Sequence, residues 1–417
     1  MRSIGGSLVF LLIMLLVDFY VFHALKAVST GWAGRTKVIV YTLYWLFCSI
    51  GFFFLASTPY VKYDFWPPVV RTYLFATAIG FFLSQLVSLP FFLIDDLRRV
   101  GVWVMRMFSS KNETLAAAKP AGDAISRSVF LSWAGLGLGG GLLTTLLYGY
   151  KNKYNYQVKN VKLKYPNLPA AFKGFKLVHI SDIHSGSFMD KAAVMHGVQL
   201  INQQQADLIL FTGDLVNDRA REMEPYMDVF DKLSAPMGVY STFGNHDYGD
   251  YARWKSEEEK LQNQQQLRQV HASLGWKLLW DEHVILQKGD DKLGLIGVQN
   301  ISGKGNFHSY GSLPKATHGM EQVPFKILMS HDPSHWESEV IPGFGDIDLT
   351  LSGHTHGMQF GVEIPGFKWS PVQWMYKQWA GLYENNNQKL YVNRGFGFIG
   401  YPGRVGILPE ITVIELS

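Results

Sequence analysis

Long apolar runs dominate the first third of the chain. The second and third of these runs contain no Asp, Glu, Lys or Arg, so they lack the polar face of a helix at the surface of a soluble protein. Glycines in the fourth run permit close packing between membrane helices. A helix needs about 20 residues to cross a bilayer. The pattern therefore predicts a membrane region at residues 1–150 with four transmembrane helices: Ile4 to Leu25, Val38 to Ser57, Thr72 to Ile94 and Ser128 to Tyr148.

Polar residues in and between these runs predict how the helices are arranged. We interpret Asp18, inside the first run, as an acid at a helix end or facing the bundle, with a functional intramembrane carboxylate as the alternative. Basic residues favour cytoplasmic loops. The loops after the first and third spans carry Lys26, Arg35, Lys37, Arg98, Arg99, Arg106, Lys111, Lys119 and Arg127, against Arg2, Lys62 and Arg71 on the other side. We expect the C-terminal region on the outer face.

The rest of the chain has the mixed polarity of a soluble domain. Residues 151–173 alternate apolar and polar positions and predict a connector with a first strand. Residues 174–417 predict an α/β domain, in which two crossover helices, Asp190 to Gln203 and Glu224 to Leu233, and a Gln-rich helix, Trp254 to Leu274, separate strand-like runs. The predicted strands are Lys176 to Ile180, Leu208 to Thr212, Val239 to Phe243, Leu293 to Val298, Lys326 to Met329 and Ile347 to Leu351.

Composition and charge narrow the classes of function. The formal charge of +4 over 417 residues is small, and Lys and Arg are scattered rather than interleaved with aromatic residues in one stripe. We therefore expect no nucleic-acid partner. The single cysteine, Cys48, lies in an apolar run, which excludes an intramolecular disulfide and a metal site built from several thiolates.

Five short polar blocks each follow an apolar run, where strand ends and loops carry functional groups. The blocks are Asp182-Ile183-His184, Gly213-Asp214, Gly244-Asn245-His246-Asp247, His331 and Gly353-His354-Thr355-His356. In extended backbone, residues two apart face the same side, so Asp182 with His184, and His354 with His356, would each offer two ligands to one cavity. Carboxylate, imidazole and amide oxygen suit Mn, Fe or Zn better than calcium.

With these blocks the chain resembles the calcineurin-like metallophosphoesterase superfamily. The family pattern is D-x-H, GD, GNH followed by an acid, H, and GHxH, and each part is present in order. The flanks, including Asn393-Arg394-Gly395 and Pro409-Glu410, resemble the bacterial membrane-bound phosphodiesterase branch. Met358 departs from that branch, which commonly has a second glycine there. The resemblance implies a four-layer α/β/β/α sandwich.

The resemblance also implies a role for each site residue. Asp182, His184 and His356 would bind one divalent ion, and Asn245, His331 and His354 the other, with Asp214 bridging the two ions. A bridging hydroxide would be the nucleophile. His246 would stabilise or protonate the leaving oxygen, and Asp247 would orient His246. His335, four residues after His331, is either a cleft residue or an ordinary loop residue.

The function expected from these residues is hydrolysis of a phosphate monoester or diester, with the diester favoured and a lipid-linked or cell-envelope substrate at the bilayer. The pattern leaves open the natural substrate, the native metals and the oligomeric state. A non-catalytic scaffold is a second hypothesis, although such scaffolds typically lose ligands. An accessory domain of a membrane sensor or transporter is a third. The expected location is the bacterial cytoplasmic membrane, with the catalytic domain on its periplasmic face.

A segment rich in tryptophan follows the last histidine block. Phe367 to Tyr383 contains Trp369, Trp374, Met375, Tyr376, Trp379 and Leu382, together with Lys368 and Lys377. Aromatic residues mixed with lysine suit the headgroup region of a bilayer, which would place a lipid near the metal site. The alternative is a small core beneath a long loop.

Overall fold

The computed structural model describes residues 4–58, 60–61, 65–108, 127–305 and 307–417. The chain divides into two compact units, Met1–Tyr148 and Gly149–Ser417. We call them the membrane unit and the catalytic unit. Compactness alone does not show independent folding, so the domain limits predicted at residues 150 and 173 stay predictions.

The membrane unit consists of four long apolar helices, which confirms the predicted transmembrane region. They are α1 Ile4–Val28, α2 Gly34–Ser57, α3 Pro68–Phe108 and α4 Arg127–Gly149. Each contains a segment long and apolar enough to cross a bilayer. Four of the basic residues used to predict the orientation lie outside the described residues: Arg2, Lys62, Lys111 and Lys119.

Helix α3 runs beyond the apolar span that was predicted to end at Ile94. Asp95 forms ion pairs with Arg98 and Arg99, each at 2.9 Å, one turn further along the helix. Pairs at this spacing stabilise a helix. The ion pairs of Asp95 with Arg98 and Arg99 therefore stabilise the part of the helix that follows Ile94.

Asp18 faces the interior of the helical bundle. Its side chain is fully buried, Gln85 Nε2 donates a hydrogen bond of 2.8 Å to Oδ1, and Tyr44 donates one of 2.7 Å to the Asp18 carbonyl. Of the placements considered from sequence, the bundle-facing acid is the one observed.

The described residues of the catalytic unit form fourteen strands in two six-stranded sheets and one separate hairpin. In chain order the strands are β1 Gln157–Leu163, β2 Lys176–Ile180, β3 Leu208–Phe211, β4 Val239–Ser241, β5 Trp276–Leu278, β6 Glu282–Lys288, β7 Asp291–Gly297, β8 Lys326–Met329, β9 Leu349–Ser352, β10 Val362–Ile364, β11 Phe367–Trp369, β12 Gly381–Asn385, β13 Gln388–Val392 and β14 Glu410–Leu416. The first sheet has the order β1-β14-β2-β3-β4-β5, and the second β12-β13-β9-β8-β7-β6. Strands β10 and β11 pair only with each other.

Helices cover the outer faces of the two sheets. They are α5 Lys191–Asn202, α6 Met227–Phe230, α7 Glu257–Ser273, α8 Leu313–Thr317 and α9 Ile341–Gly343, with a π-helical turn at Trp336–Val340. Leu177 and Leu210 of the first sheet and Ile327 of the second share one buried cluster between the sheets. Further clusters lie between each sheet and its helices. The predicted α/β/β/α sandwich is confirmed.

Local capping fixes where two of these helices begin. The Asp190 carboxylate accepts a hydrogen bond from the Ala193 amide at 3.0 Å, and the Ser256 hydroxyl accepts one from the Glu259 amide at 3.2 Å. Such N-caps satisfy amides that have no partner in the first turn. Helix α7 thus begins at Glu257, three residues after the predicted Trp254.

Candidate metal centre

The five polar blocks of the sequence meet at one edge of the sandwich. They follow the carboxyl ends of β2, β3 and β4 in the first sheet and of β8 and β9 in the second. Because these strands are parallel neighbours within each sheet, their ends converge. The side chains of Asp182, His184, Asp214, His331 and His356 are all buried there.

The backbone at these blocks is left-handed rather than extended, which corrects the reason given for the paired ligands. φ is 54° at Asp182, 49° at His184, 61° at Asp214, 69° at His354 and 50° at His356. Left-handed backbone at such residues costs on the order of 1–3 kcal/mol each and clusters at functional sites. Sharp turns, rather than strand alternation, aim these side chains inward.

Two glycines are required by this crowding. Gly213 has a φ of 98°, and a Cβ there would fall on the backbone of Phe243 and Gly244. At Gly353, a Cβ would overlap the side chains of Ser181 and Asp182. The glycines of the Gly-Asp and Gly-His pairs thus let neighbouring loops of the site approach each other closely.

Asp182, His184 and His356 form the first cluster of potential ligands. His184 Nε2 lies 3.0 Å from His356 Nε2, and His356 Nε2 lies 3.2 Å from Asp182 Oδ1. His354, two residues before His356, belongs to the other cluster.

Asp214, His331 and His354 form the second cluster. Asn245 joins it through Oδ1, which lies 2.8 Å from His354 Nδ1 and 3.1 Å from His331 Nε2. The amide nitrogen of Asn245 donates to the Tyr251 hydroxyl at 2.9 Å, which leaves its oxygen for the centre.

One carboxylate oxygen connects the two clusters. Asp214 Oδ2 lies 3.0 Å from His331 Nε2 in the second cluster and 3.5 Å from His184 Nε2 in the first. A bridging carboxylate between two metal ions needs this position.

The residues fit two divalent cations. Two donor atoms each about 2.1 Å from one ion and at right angles lie about 3 Å apart, which is the spacing within both clusters. The donor set of imidazole, carboxylate and amide oxygen suits borderline divalent metals. The donor set leaves the identity of the metals open.

Hydrogen bonds outside the clusters orient the imidazoles. His331 Nδ1 lies 2.8 Å from the Thr212 carbonyl, so this nitrogen carries a proton and Nε2 is the atom turned toward the second cluster. His354 turns Nδ1 toward Asn245 and Nε2 toward the Tyr376 hydroxyl, at 2.8 Å. Tyr376 is a site residue that sequence reasoning placed only in an aromatic segment.

Burial and neighbouring charges shift the pKa values of the ligand side chains. Burial alone would lower the pKa of His331, but the Asp214 carboxylate raises it to about 10. Burial lowers the pKa of His184 well below its usual range. Burial opposes ionisation of Asp214, yet His331 and His246 hold its pKa below the usual range. A metal that binds here must displace the His331 proton, which favours metal binding at higher pH.

His246 lies beside the centre without joining either cluster. Its Nδ1 lies 2.8 Å from the Asn217 carbonyl, and its ring centroid is 4.9 Å from that of His184. The Asn217 carbonyl fixes the proton on Nδ1 and leaves Nε2 for the cavity.

Asp247 contacts backbone amides, and no hydrogen bond joins it to His246 among the described residues, so its expected role in orienting His246 stays a prediction. Its two oxygens accept hydrogen bonds from four backbone amides, those of Asp214, Leu215, Val216 and Gly244, at 2.8 to 3.3 Å. Carboxylates satisfy clustered amides well. Asp247 thus holds the loop that carries Asp214.

Other histidines near the motifs are structural. His335 is buried, with Nδ1 2.8 Å from Ser330 Oγ and Nε2 2.8 Å from Glu339 Oε2. It therefore belongs to the turn after β8 rather than to the cleft. His179 packs inside the first sheet beside Thr212, at 2.9 Å.

A buried arginine supports the first cluster and was not singled out from the sequence. Arg404 donates to the carbonyls of Arg394 and Gly397, and its Nη2 lies 3.4 Å from His356 Nδ1. No local pattern marks a residue so far along the chain as a neighbour of His356. Met358, the departure from the family pattern, has a φ of 56°, a conformation that explains a glycine at this position.

Comparison with known proteins agrees with this geometry. Residues 1–153 match the family described as "Probable Calcineurin-like phosphoesterase, transmembrane domain", and residues 175–358 match "Calcineurin-like phosphoesterase". A transmembrane protein with metallophosphoesterase domain from Danio rerio is 26% identical over 87% of this chain and 82% of its own. The metallophosphoesterase YkuE of Bacillus subtilis is 29% identical over 60% of this chain and 82% of its own.

A third relative carries a more specific name. Phosphodiesterase YaeI of Escherichia coli is 26% identical over 58% of this chain and 82% of its own. The two family matches, the buried Asp and His clusters and the four apolar helices identify the chain as a calcineurin-like metallophosphoesterase with an N-terminal transmembrane domain.

Proposed function

We propose that this enzyme hydrolyses a phosphodiester carried by a lipid-linked or cell-envelope molecule. The observation that carries the proposal is the pair of buried ligand clusters joined by Asp214 Oδ2, at 3.0 and 3.5 Å from a histidine of each. Two divalent ions in such a site lower the pKa of a water and neutralise phosphoryl oxygens.

The residues of the chain divide the remaining work. Asp182, His184 and His356 would hold one ion, and Asn245, His331 and His354 the other, with Asp214 shared between them. Asp247 keeps the Asp214 loop in place through backbone amides. The buried carboxylates also exclude a negatively charged phosphate until cations neutralise them.

His246 is suited to act as the general acid. It is half-buried, outside both clusters, and its Nδ1 proton is committed to the Asn217 carbonyl. Its Nε2 can therefore carry a second proton to the leaving oxygen of the ester. A poor leaving group, such as an alkoxide, needs that proton more than a nitrophenolate does.

Two observations favour a diester at a membrane. The relative from Escherichia coli is named a phosphodiesterase. The four candidate spans of this chain keep its catalytic unit at a bilayer, where lipid-linked phosphodiesters are concentrated. From the basic loops, we place this unit on the periplasmic face of a bacterial cytoplasmic membrane.

A non-catalytic scaffold is the competing function. Such a protein would have no need for a complete ligand set together with a free histidine beside it. The intact clusters and the position of His246 favour turnover.

A substrate comparison with the purified full-length protein tests the proposal. In the presence of Mn²⁺, we expect hydrolysis of bis(p-nitrophenyl) phosphate to exceed that of p-nitrophenyl phosphate, and a phospholipid phosphodiester to be cleaved in vesicles. His246→Ala should retain bound metal and lose on the order of 10² to 10⁴ in turnover, with the larger loss for the alkyl leaving group.

The outcomes separate the alternatives. A wild-type protein that binds two metals but cleaves none of these esters would support the scaffold. A preference for the monoester would overturn the diester assignment alone. Loss of metal in His246→Ala would remove His246 from the acid role.

A further inference from the structure

The hairpin of β10 and β11 exposes a face made entirely of apolar residues. Val362 pairs with Trp369, and Ile364 pairs with Phe367. Paired residues and residues two apart share one face of a hairpin. Val362, Ile364 and Phe367 are 44%, 58% and 55% exposed.

The opposite, polar face of this hairpin is turned toward the protein. Glu363 Oε1 forms ion pairs with buried Arg394, at 2.8 Å, and with Lys159, at 3.3 Å. Lys368 donates to the carbonyl of buried Ala380. Surface hairpins of soluble domains normally pack the apolar face and solvate the polar one. Here the inward ion pairs fix the reverse arrangement.

Two residues after the hairpin enlarge the exposed apolar surface. Trp374 is 76% exposed and its ring lies 6.1 Å from that of Trp369, and Met375 is 53% exposed. Scattered apolar residues are normal on a surface, whereas a contiguous group marks an interaction site. We call this group the apolar platform; its members are Val362, Ile364, Phe367, Trp369, Trp374 and Met375.

The platform begins close to the first residue of the catalytic unit. Gly149, the first residue of the catalytic unit and the last of α4, accepts a hydrogen bond of 3.0 Å from the Arg404 amide. The next residue, Val405, accepts one of 2.8 Å from the Gly361 amide, directly before β10. One loop, Arg404 and Val405, thus contacts both the first residue of the catalytic unit and the base of the hairpin.

The other end of the platform reaches the metal centre. Tyr376 follows Met375, is buried with Trp379 in a small core, and has its hydroxyl 2.8 Å from His354 Nε2. Of the two interpretations of the tryptophan-rich segment, the core applies to Tyr376 and Trp379, whereas Trp374 lies outside it.

We propose that the apolar platform docks onto the bilayer that the chain's own helices span. The bilayer is favoured over a protein partner because Gly149, which directly follows the last helix of the membrane unit in the chain, contacts the loop at the base of the hairpin. Exposed Lys377, paired with Glu337 at 3.4 Å, follows Trp374 and Met375 in the sequence and adds the positive charge that suits lipid headgroups. If the proposed function holds, docking presents lipid-linked phosphodiesters to the metal centre at headgroup level.

Depth-dependent quenching in the full-length protein tests the docking. Cys48→Ala removes the single cysteine, after which Ile364→Cys or Phe367→Cys carries a bimane label in nanodiscs of phosphatidylethanolamine and phosphatidylglycerol. Leu261→Cys is the control, because Leu261 is 54% exposed on α7, which packs against β5 at the sheet edge opposite β1. Doxyl groups near the headgroups should quench both platform labels several-fold more than the control label.

Equal quenching at positions 364, 367 and 261 would overturn the docking. Hydroxyl-radical labelling of the unsubstituted chain in the same nanodiscs covers the case in which a labelled variant does not fold. The nanodisc bilayer should reduce the oxidation rates of Trp374 and Met375 by a larger factor than that of Leu261. An equal reduction at the three residues would again overturn the proposal.

Kinetics separate docking from the proposed function. The double variant Ile364→Ser, Phe367→Ser should keep wild-type turnover of bis(p-nitrophenyl) phosphate and lose turnover of a phospholipid phosphodiester in the same nanodiscs. Equal loss on both substrates would overturn substrate presentation. A wild-type protein that cleaves neither substrate would contradict the proposed function, while the quenching result still decides the docking.

Discussion

At the scale of single residues, Asp214 distinguishes one binuclear centre from two separate metal sites. Its Oδ2 is the atom near a histidine of each cluster. Asp214→Asn replaces that charge with an amide that bridges two cations poorly, so bound metal should fall toward one ion or none per chain. Elemental analysis after gel filtration measures this, with Asp228→Asn at an exposed position as control. Two tightly bound metals and full activity in Asp214→Asn would show that the ligand assignment is wrong.

Another buried residue, His271, should make the catalytic unit sensitive to acid. Burial lowers the pKa of His271 from 6.5 to about 3, and Nδ1 lies 2.9 Å from Ser241 Oγ. The unfolded chain therefore binds a proton below pH 6.5 that the folded chain does not, and stability is lost as the pH falls toward 3. Between pH 7 and pH 5 this amounts to about 2 kcal/mol.

Thermal unfolding followed by tryptophan fluorescence can isolate this contribution. His271→Gln should lower the melting temperature at pH 7 but reduce its further drop at pH 5 by about 4–8 °C relative to wild type. His196→Gln, at an exposed histidine, is the control. An identical pH dependence in wild type and His271→Gln would contradict the assignment of acid sensitivity to His271.

At the scale of structural elements, the loop after β3 depends on a carboxylate that does not bind metal. Asp247 accepts hydrogen bonds from the amides of Asp214, Leu215, Val216 and Gly244. Each Asp247 oxygen accepts from two of these amides, and Asp247→Asn replaces one oxygen with a donor, so two of the amides lose a partner. Metal affinity should fall about 10–100-fold, as for other supporting residues of metal ligands.

Isothermal titration with Mn²⁺ gives this affinity, and Asp250→Asn is a matched control. Asp250 contacts the side chains of Tyr310 and Lys260, at 2.8 and 2.6 Å, rather than backbone amides. If Asp247→Asn kept its metal affinity and lost only turnover, Asp247 would act on His246 after all.

The elements also show which parts of the structure local patterns could predict. Strands β2 and β8 have the predicted limits because each is a short run rich in apolar residues, and these apolar residues are all buried. The motif residues were found because family spacing marks them, although the turns that aim them are left-handed. The hairpin was not found as strands, since its apolar face is exposed and its polar face is paired with Arg394 and Ala380, contacts distant in sequence. Arg404 and Tyr376 likewise contact site residues that are distant in sequence, His356 and His354, so no local pattern marks them.

At the scale of the whole molecule, the side of the membrane decides which substrates the enzyme can meet. The basic residues after the first and third spans, among them Lys26, Arg98 and Arg99, predict that these loops are cytoplasmic. With four spans, the chain after α4 would then be exported. Periplasmic phosphodiesters would be accessible to it, whereas cytoplasmic nucleotides would not.

Reporter fusions test this orientation directly. A fusion after residue 111 should be fluorescent with a reporter that folds in the cytoplasm, and a fusion after Tyr154 should be active with alkaline phosphatase, which requires export. Changing Lys26, Arg35 and Lys37 to Gln should mix the two orientations, because basic loop residues determine them, whereas Lys277→Gln in β5 should leave them unchanged. The reverse reporter pattern in the unsubstituted chain would place the metal centre in the cytoplasm. The apolar platform could still dock there, on the inner leaflet, but the substrate would have to be sought among cytoplasmic phosphoesters and lipid precursors.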